Sequence, residues 1–131
     1  MIAVDTSVVV ALLLAWHEAH DATRREVGPA SIPAHALTET YAVLTRLPRS
    51  LSPADAATLL AEAFPTSTVL SPPPGLQRSF PSCCASLGIA GGATYGAMIA
   101  FTASHHRATL LTRDRRAVSV YERVGVEFML L

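Results

Sequence analysis

Short apolar runs alternate along this chain with longer stretches in which apolar residues recur at helical spacing, and the alternation predicts a strand–helix order. The first run, Ile2 to Asp5, reads as a buried strand that stops at a carboxylate. Thr6 or Ser7 can cap a helix over Val8 to Ala15. Trp16 to Val27 reads as a second, more polar helix ended by Gly28-Pro29, with Arg24 and Arg25 on a solvated face. Ala30 to Ile32 is a short second strand. Pro33 precedes a helix from about Ala34 to Leu47, whose stripe of Leu37, Tyr41 and Leu44 predicts a core face. Ser52-Pro53-Ala54-Asp55 joins a capping serine, a proline at the first helical position and an acid in the first turn, so a helix should run from there to about Phe64. The β-rich Thr66 to Leu70 reads as a third strand, and a helix over Leu76 to Leu87 follows a proline-rich turn. After a loop at Gly88 to Gly92 comes a helix over Ala93 to His106, with Tyr95, Ile99, Thr102 and His106 on one stripe. Thr109 to Thr112 is a buried strand that runs into the polar turn Arg113 to Arg116. Val118 to Val124 is a short helix or turn, and Val126 to Leu131 a last strand.

Strands that alternate with helices imply an α/β fold: a parallel sheet with helices on both faces. The length of 131 residues, with 50% hydrophobic composition and no internal repeat, fits one domain over residues 1–131 with one core. A charged fraction of 15% is low and suggests that a partner covers some apolar surface, although small alanines also inflate the hydrophobic count. Zero formal net charge carries no nucleic-acid signal. Every basic residue is arginine, a planar fork suited to bidentate phosphate contacts. The adjacent Cys83 and Cys84 offer neither metal spacing nor a relaxed bridge, which points to a reduced, cytoplasmic protein. The N-terminal apolar run has no basic flank and is interrupted by an acid, which argues against a signal peptide or a membrane span.

Asp5 and Asp114 share a context, each standing just after an apolar strand. In a parallel sheet with both strands near its centre, the two carboxylates would meet at one rim, and Glu39, in the second turn of a helix that follows a strand, could reach it too. Acids gathered without bases repel one another unless a cation joins them or their pKa values rise. Hard oxygen ligands favour Mg2+ or Mn2+ over zinc. The plainer reading is that Asp5 and Asp114 only cap helices. His17 and His20 are three apart, so the zinc-protease spacing is absent and they read as a solvated helix start.

Several pieces, in order along the chain, carry a resemblance: Ile2-Ala3-Val4-Asp5-Thr6-Ser7, the Thr38-Glu39 helix, Gly91-Gly92-Ala93-Thr94-Tyr95 with Ala97-Met98-Ile99-Ala100, and Leu110-Leu111-Thr112-Arg113-Asp114. Together they resemble the PIN-domain ribonucleases, and within that family the VapC toxins of type II toxin–antitoxin pairs. The resemblance implies a three-layer α/β/α PIN-like fold with a central, mainly parallel sheet. It implies a Mg2+- or Mn2+-dependent endoribonuclease that cuts RNA phosphodiesters, a small VapB-like antitoxin that covers the active-site groove, and a homodimer. Asp5, Glu39 and Asp114 match three of the four acidic positions of that family's metal site. The fourth, an aspartate after the tyrosine, is Gly96 here. Glycine inside a helix costs about 1 kcal/mol relative to alanine, and nothing nearby asks for it. Gly96 is therefore read as replacing an aspartate, with weakened metal binding and activity.

On this reading Asp5 and Asp114 are direct ligands, and Glu39 a ligand or the base that orients water. Thr6, Ser7 and Thr112 would bond to the ligating carboxylates, or simply cap helices. Arg113, Arg115 and Arg116 are the first candidates for holding RNA phosphates, and Arg46 and Arg49 the second. Two other readings compete. One is an inactive module of the same fold that binds antitoxin or RNA, favoured by Gly96. The other is a phosphohydrolase with Asp5 as nucleophile; it lacks paired aspartates and any lysine, and no glycine-rich phosphate loop is present.

Overall fold

A computed structural model describes all 131 residues. Five short strands, all parallel, form its centre: β1 (Ile2–Val4), β2 (Ile32–Pro33), β3 (Val69–Leu70), β4 (Thr109–Thr112) and β5 (Phe128–Leu130). β4 pairs with β1 on one side and β5 on the other, with Val4 opposite Leu111 and Leu111 opposite Met129. β2 and β3 pair with each other, and a bridge between Ala3 and Ser31 joins them to β1. Two hydrogen bonds make that join, Val4 N–H to Ser31 O (3.0 Å) and Ser31 N–H to Ile2 O (2.9 Å). The spatial order is therefore β3-β2-β1-β4-β5, and the direction of winding reverses between β1 and β4.

Seven helices connect the strands: α1 (Thr6–Leu13), α2 (His20–Glu26), α3 (Ala34–Arg46), α4 (Pro53–Ala63), α5 (Pro74–Ser86), α6 (Ala93–His105) and α7 (Val118–Val124). Right-handed crossovers, the rule for parallel connections, put α1 to α4 on one face and α5 to α7 on the other. Within each group α1 packs on α2 and α3, α3 on α4, and α6 on α5 and α7, while α3 also meets α6, where His35 stacks on Tyr95. This is the three-layer α/β/α arrangement that the alternation implies. No helix is long and apolar enough to cross a membrane.

The core surrounds the sheet, with Ala3, Val4, Val8, Ile32, Leu44, Leu110 and Tyr121 essentially closed to solvent. A smaller cluster of Phe80, Cys84, Ile89, Ala97 and Met98 seals α5 against α6. Cys83 and Cys84 are both free thiols. Gly125 ends α7 at φ 78°, a left-handed turn that favours glycine and sends the chain back into β5.

Several local expectations shift. Asp5, rather than Thr6 or Ser7, caps α1, its carboxylate accepting from Val8 N–H. α2 begins only at His20, because His17 Nδ1 accepts from Ala19 N–H and holds Trp16–Ala19 as turns. His20 Nδ1 lies 2.8 Å from Ala11 O and ties α2 to α1. Thr66–Thr68 is a 3-10 turn, with Thr68 Oγ1 donating to Pro65 O, so β3 is only Val69–Leu70. α3 buries Ala36, Thr40 and Leu44, a stripe one step round from the expected one, and Tyr41 is left 39% exposed. Thr40 can sit in the core because its hydroxyl donates to Ala36 O. On α6, Ile99 and Thr102 are buried as the periodicity predicts, whereas Tyr95 is exposed and His106 only half-buried, its Nε2 lying 2.9 Å from Ser71 O.

Leu110 is wholly buried in the strand that links both halves of the sheet. Leu110→Ala should cost about 2–5 kcal/mol of unfolding free energy, read by urea denaturation with an unchanged slope.

Candidate active site

In a parallel sheet of this kind, each helix that follows a strand directly starts at the strands' carboxyl edge. β1 runs through Asp5 into α1, β2 leads directly into α3, and β4 runs through Arg113 and Asp114 into a 3-10 turn (Arg115–Ala117) ahead of α7. α6 feeds β4 through a short turn, so its C-terminus lies at the opposite edge and its first turn at this one. These geometries gather Asp5, Glu39, Asp114, Tyr95 and Gly96 at one rim, beside the point between β1 and β4 where the winding reverses. Open α/β sheets bind ligands at such a point.

All five residues line a single cavity of about 460 Å³, together with Thr6, Ser7, Arg116 and Tyr121. A second cavity of about 530 Å³ adjoins it, sharing Thr6, Ser7, Glu39, Asp114 and Arg116 and adding Arg46 and Arg113. Arg115 lines neither cavity. Arg49 stands apart, its guanidinium 4.6 Å from the Trp16 ring centre. Arg24 and Arg25 are exposed on α2.

Asp5 is 3% exposed. Its Oδ1 accepts from Ser7 Oγ–H and from Val8 N–H, and its Oδ2 accepts from the Tyr121 hydroxyl at 2.9 Å. Ser7 Oγ in turn accepts from Arg113 N–H (2.8 Å) and lies 3.5 Å from Thr112 Oγ1, which accepts from Asp114 N–H. Thr6 Oγ1 donates to Glu39 Oε2 at 3.0 Å. Thr6 and Ser7 thus donate to carboxylates as expected, whereas the Thr112 hydroxyl meets Ser7 and the Asp114 backbone N–H but no carboxylate, and α1 is capped by Asp5. Asp114 caps its own turn through Arg116 N–H and pairs with Arg116 Nε at 3.2 Å. Both aspartates are helix caps as well as members of the cluster.

Arg116–Asp114 is the only ion pair in the molecule, so Asp5 and Glu39 have no cation beside them. Burial drives the Tyr121 phenol pKa strongly up, and the charges of Asp5, Glu39 and Asp114 add to the shift. The phenol therefore stays the proton donor to Asp5 Oδ2. The donor set is hard oxygen, which suits Mg2+ or Mn2+. Oε1 of Glu39 and Oδ2 of Asp114 make no hydrogen bond within the protein, so ligating oxygens remain. The carboxylates do not close on one point: no three acidic, histidine or cysteine side chains stand in ligating geometry together. The residues match a hard divalent ion in donor type only; as placed, they form no three-ligand site.

Gly96 faces the same cavity, and a Cβ built there would meet only Val120 Cγ1, at 4.0 Å. Nothing steric requires a glycine. Tyr121 is the residue that reading the sequence missed. It lies in a segment read only as a short helix or turn, and no local pattern marks its contact with Asp5 across 116 positions.

Comparison with known proteins agrees with this architecture. The profile of the PIN domain matches residues 2–123. The chain is 47% identical over 132 residues to Ribonuclease VapC27 of Mycobacterium tuberculosis H37Rv, covering 95% of this chain and 93% of that one. It is 43% identical over 134 residues to Ribonuclease VapC40 of M. tuberculosis CDC 1551, covering 100% and 99%. Among solved structures it resembles FitAcB from Neisseria gonorrhoeae, with TM-score 0.66 and 21% identity over 98% and 96% of the two chains. It also resembles VapBC-1 from nontypeable Haemophilus influenzae, with TM-score 0.67 and 18% identity over 99% and 98%.

Tyr121→Phe leaves Asp5 Oδ2 without its donor and should cost about 1–3 kcal/mol in denaturant unfolding. The raised phenol pKa gives the sign with pH. Above about pH 10 the unfolded tyrosine releases its proton and the folded one keeps it, so stability falls as pH rises. The fall should be shallower in Tyr121→Phe, and parallel curves for the two proteins would remove Tyr121 as its source.

Proposed function

The chain belongs to the PIN domain family, and from that premise we propose that it is a metal-dependent endoribonuclease of the VapC toxin type, held in check by a small VapB-like antitoxin and weakened by Gly96. The observation that carries this reading is the gathering of Asp5, Glu39 and Asp114 in one cavity at the winding reversal, with no cation beside two of them.

Asp5, Glu39 and Asp114 would hold one or two Mg2+ or Mn2+ ions. A bound ion of this kind acidifies a water and neutralises the leaving oxyanion. The remaining work belongs to the protein. Ser7 and Tyr121 fix both oxygens of the Asp5 carboxylate, and Thr6 fixes one oxygen of Glu39, leaving Oε1 to orient or deprotonate the attacking water. Thr112 supports Ser7 and the Asp114 backbone. Arg113, Arg116 and Arg46 line the adjoining cavity and would take substrate phosphates. Arg115 is a weaker candidate, since it lines neither cavity. The engagement of both Asp5 oxygens and the residue's low exposure disfavour Asp5 as a nucleophile.

For the partner, the two-component names of the structural neighbours support a second protein. The apolar groove between α3 and α4, lined by Leu37, Tyr41, Leu60 and Phe64, is a surface that such a chain could cover. A homodimer and a cytoplasmic location belong to the same proposal. The rival reading, an inactive binding module, draws on Gly96 and on the carboxylates' failure to converge.

Restoring an acid separates the two. Gly96→Asp should raise Mg2+-dependent cleavage of total cellular RNA by at least about 10-fold, by comparison with the 10–100-fold effects of groups that merely support a metal site. Gly96→Ala should leave cleavage unchanged and stabilise the helix by about 0.5–1 kcal/mol. If neither the unaltered chain nor Gly96→Asp cuts RNA or takes up Mg2+ by calorimetry, the binding-module reading replaces the nuclease.

Arg113→Ala and Arg46→Ala should each weaken single-stranded RNA binding and lower the salt slope of log affinity by about 0.7. A salt series followed by anisotropy reads this, and an unchanged slope removes that arginine from the phosphate path.

A further inference from the structure

We propose that Tyr95, backed by His35, is a stacking platform for a nucleobase of single-stranded RNA laid across the carboxylate cavity, an inference that rests on the nuclease reading above. Tyr95 is 58% exposed, although helical periodicity assigns it to a buried stripe. It sits in the first turn of α6, beyond the end of the core, and its hydroxyl makes no hydrogen bond within the protein. Its one aromatic contact is His35 in the first turn of α3: the ring centres are 5.4 Å apart and the planes differ by 2°. Parallel rings at that separation form an offset stack. The stack orders the phenol ring and leaves most of it in water.

The other exposed aromatic side chains are accounted for differently. Trp16 lies under Arg49, and Tyr41 lines the groove between α3 and α4. Tyr95 alone among them lines the carboxylate cavity. The arginines lie on the other side: Arg46 and Arg113 line only the adjoining cavity, and Thr6, Ser7, Glu39, Asp114 and Arg116 lie where the two cavities meet. A strand crossing that junction meets guanidinium groups for its phosphates on one side and an aromatic face on the other. Sequence-tolerant recognition of single strands uses this pairing of basic track and stacking ring. With zero formal net charge, long-range attraction adds little and short-range stacking counts for more.

The test compares two probes by fluorescence anisotropy in Mg2+. One is a short 2′-O-methyl oligoadenylate, checked by gel to stay uncut; the other is the same backbone with abasic sugars throughout. The unaltered protein should bind the base-bearing strand about 5- to 100-fold more tightly than the abasic one. Tyr95→Ala should lose that preference while keeping the salt slope, Tyr95→Phe should keep both, and His35→Ala should fall between. A preference that survives in Tyr95→Ala, or equal binding of both strands by the unaltered protein, overturns the platform and leaves the nuclease reading standing. Failure of the unaltered protein and of Gly96→Asp to bind either strand overturns both.

Discussion

Asp5 is 3% exposed, its carboxyl group accepts three hydrogen bonds, and no cation stands beside it. A carboxylate so far from water survives only where the surroundings donate to it from several directions. Two of those donors, Ser7 and Val8, are near neighbours in the chain, while Tyr121 arrives from α7. Ser7 is held in turn by the Arg113 backbone and lies close to Thr112. The end of β1 and the end of β4 are thereby tied together by polar contacts above the backbone ladder.

That coupling explains why helix capping and site building do not compete here. Asp5 caps α1 and Asp114 caps the turn before α7, so each contributes to local stability whether or not an ion is present. Each also stands where its strand delivers it, at the carboxyl edge. Gly96 is the exception to this economy. It lies in a helix that would accept a side chain, faces the cavity, and contributes neither packing nor charge. The rim thus holds supported carboxylates beside an open side-chain position at Gly96.

Most elements were legible in the sequence because their signals are local. Ser52-Pro53 starts α4 with the expected cap, and the apolar runs at Ile2, Ile32 and Thr109 are strands. The context of Asp5 and Asp114, each just after a strand, was enough to expect both at one rim. The misreadings also have local causes. Thr68 bonds its hydroxyl to Pro65 O and forms a turn where β propensity suggested strand. Thr40 satisfies its hydroxyl within α3 and enters the core in place of Tyr41.

Residue order alone determined the alternation of elements, the fold class and the identity of the acids, because turn chemistry and hydrophobic period act between near neighbours in the chain. It could not determine which side chains share a cavity. Tyr95 and Tyr121 show this most directly: the first was expected inside and stands at the rim, and the second was given no role and holds Asp5. Where a helix ends relative to the sheet decides both. The buried residues of α6 begin at Ala97, which leaves Tyr95 outside, while α7 packs so that Tyr121 reaches Asp5 across 116 positions. Those are distances set by packing whole elements together, and no window along the chain contains them.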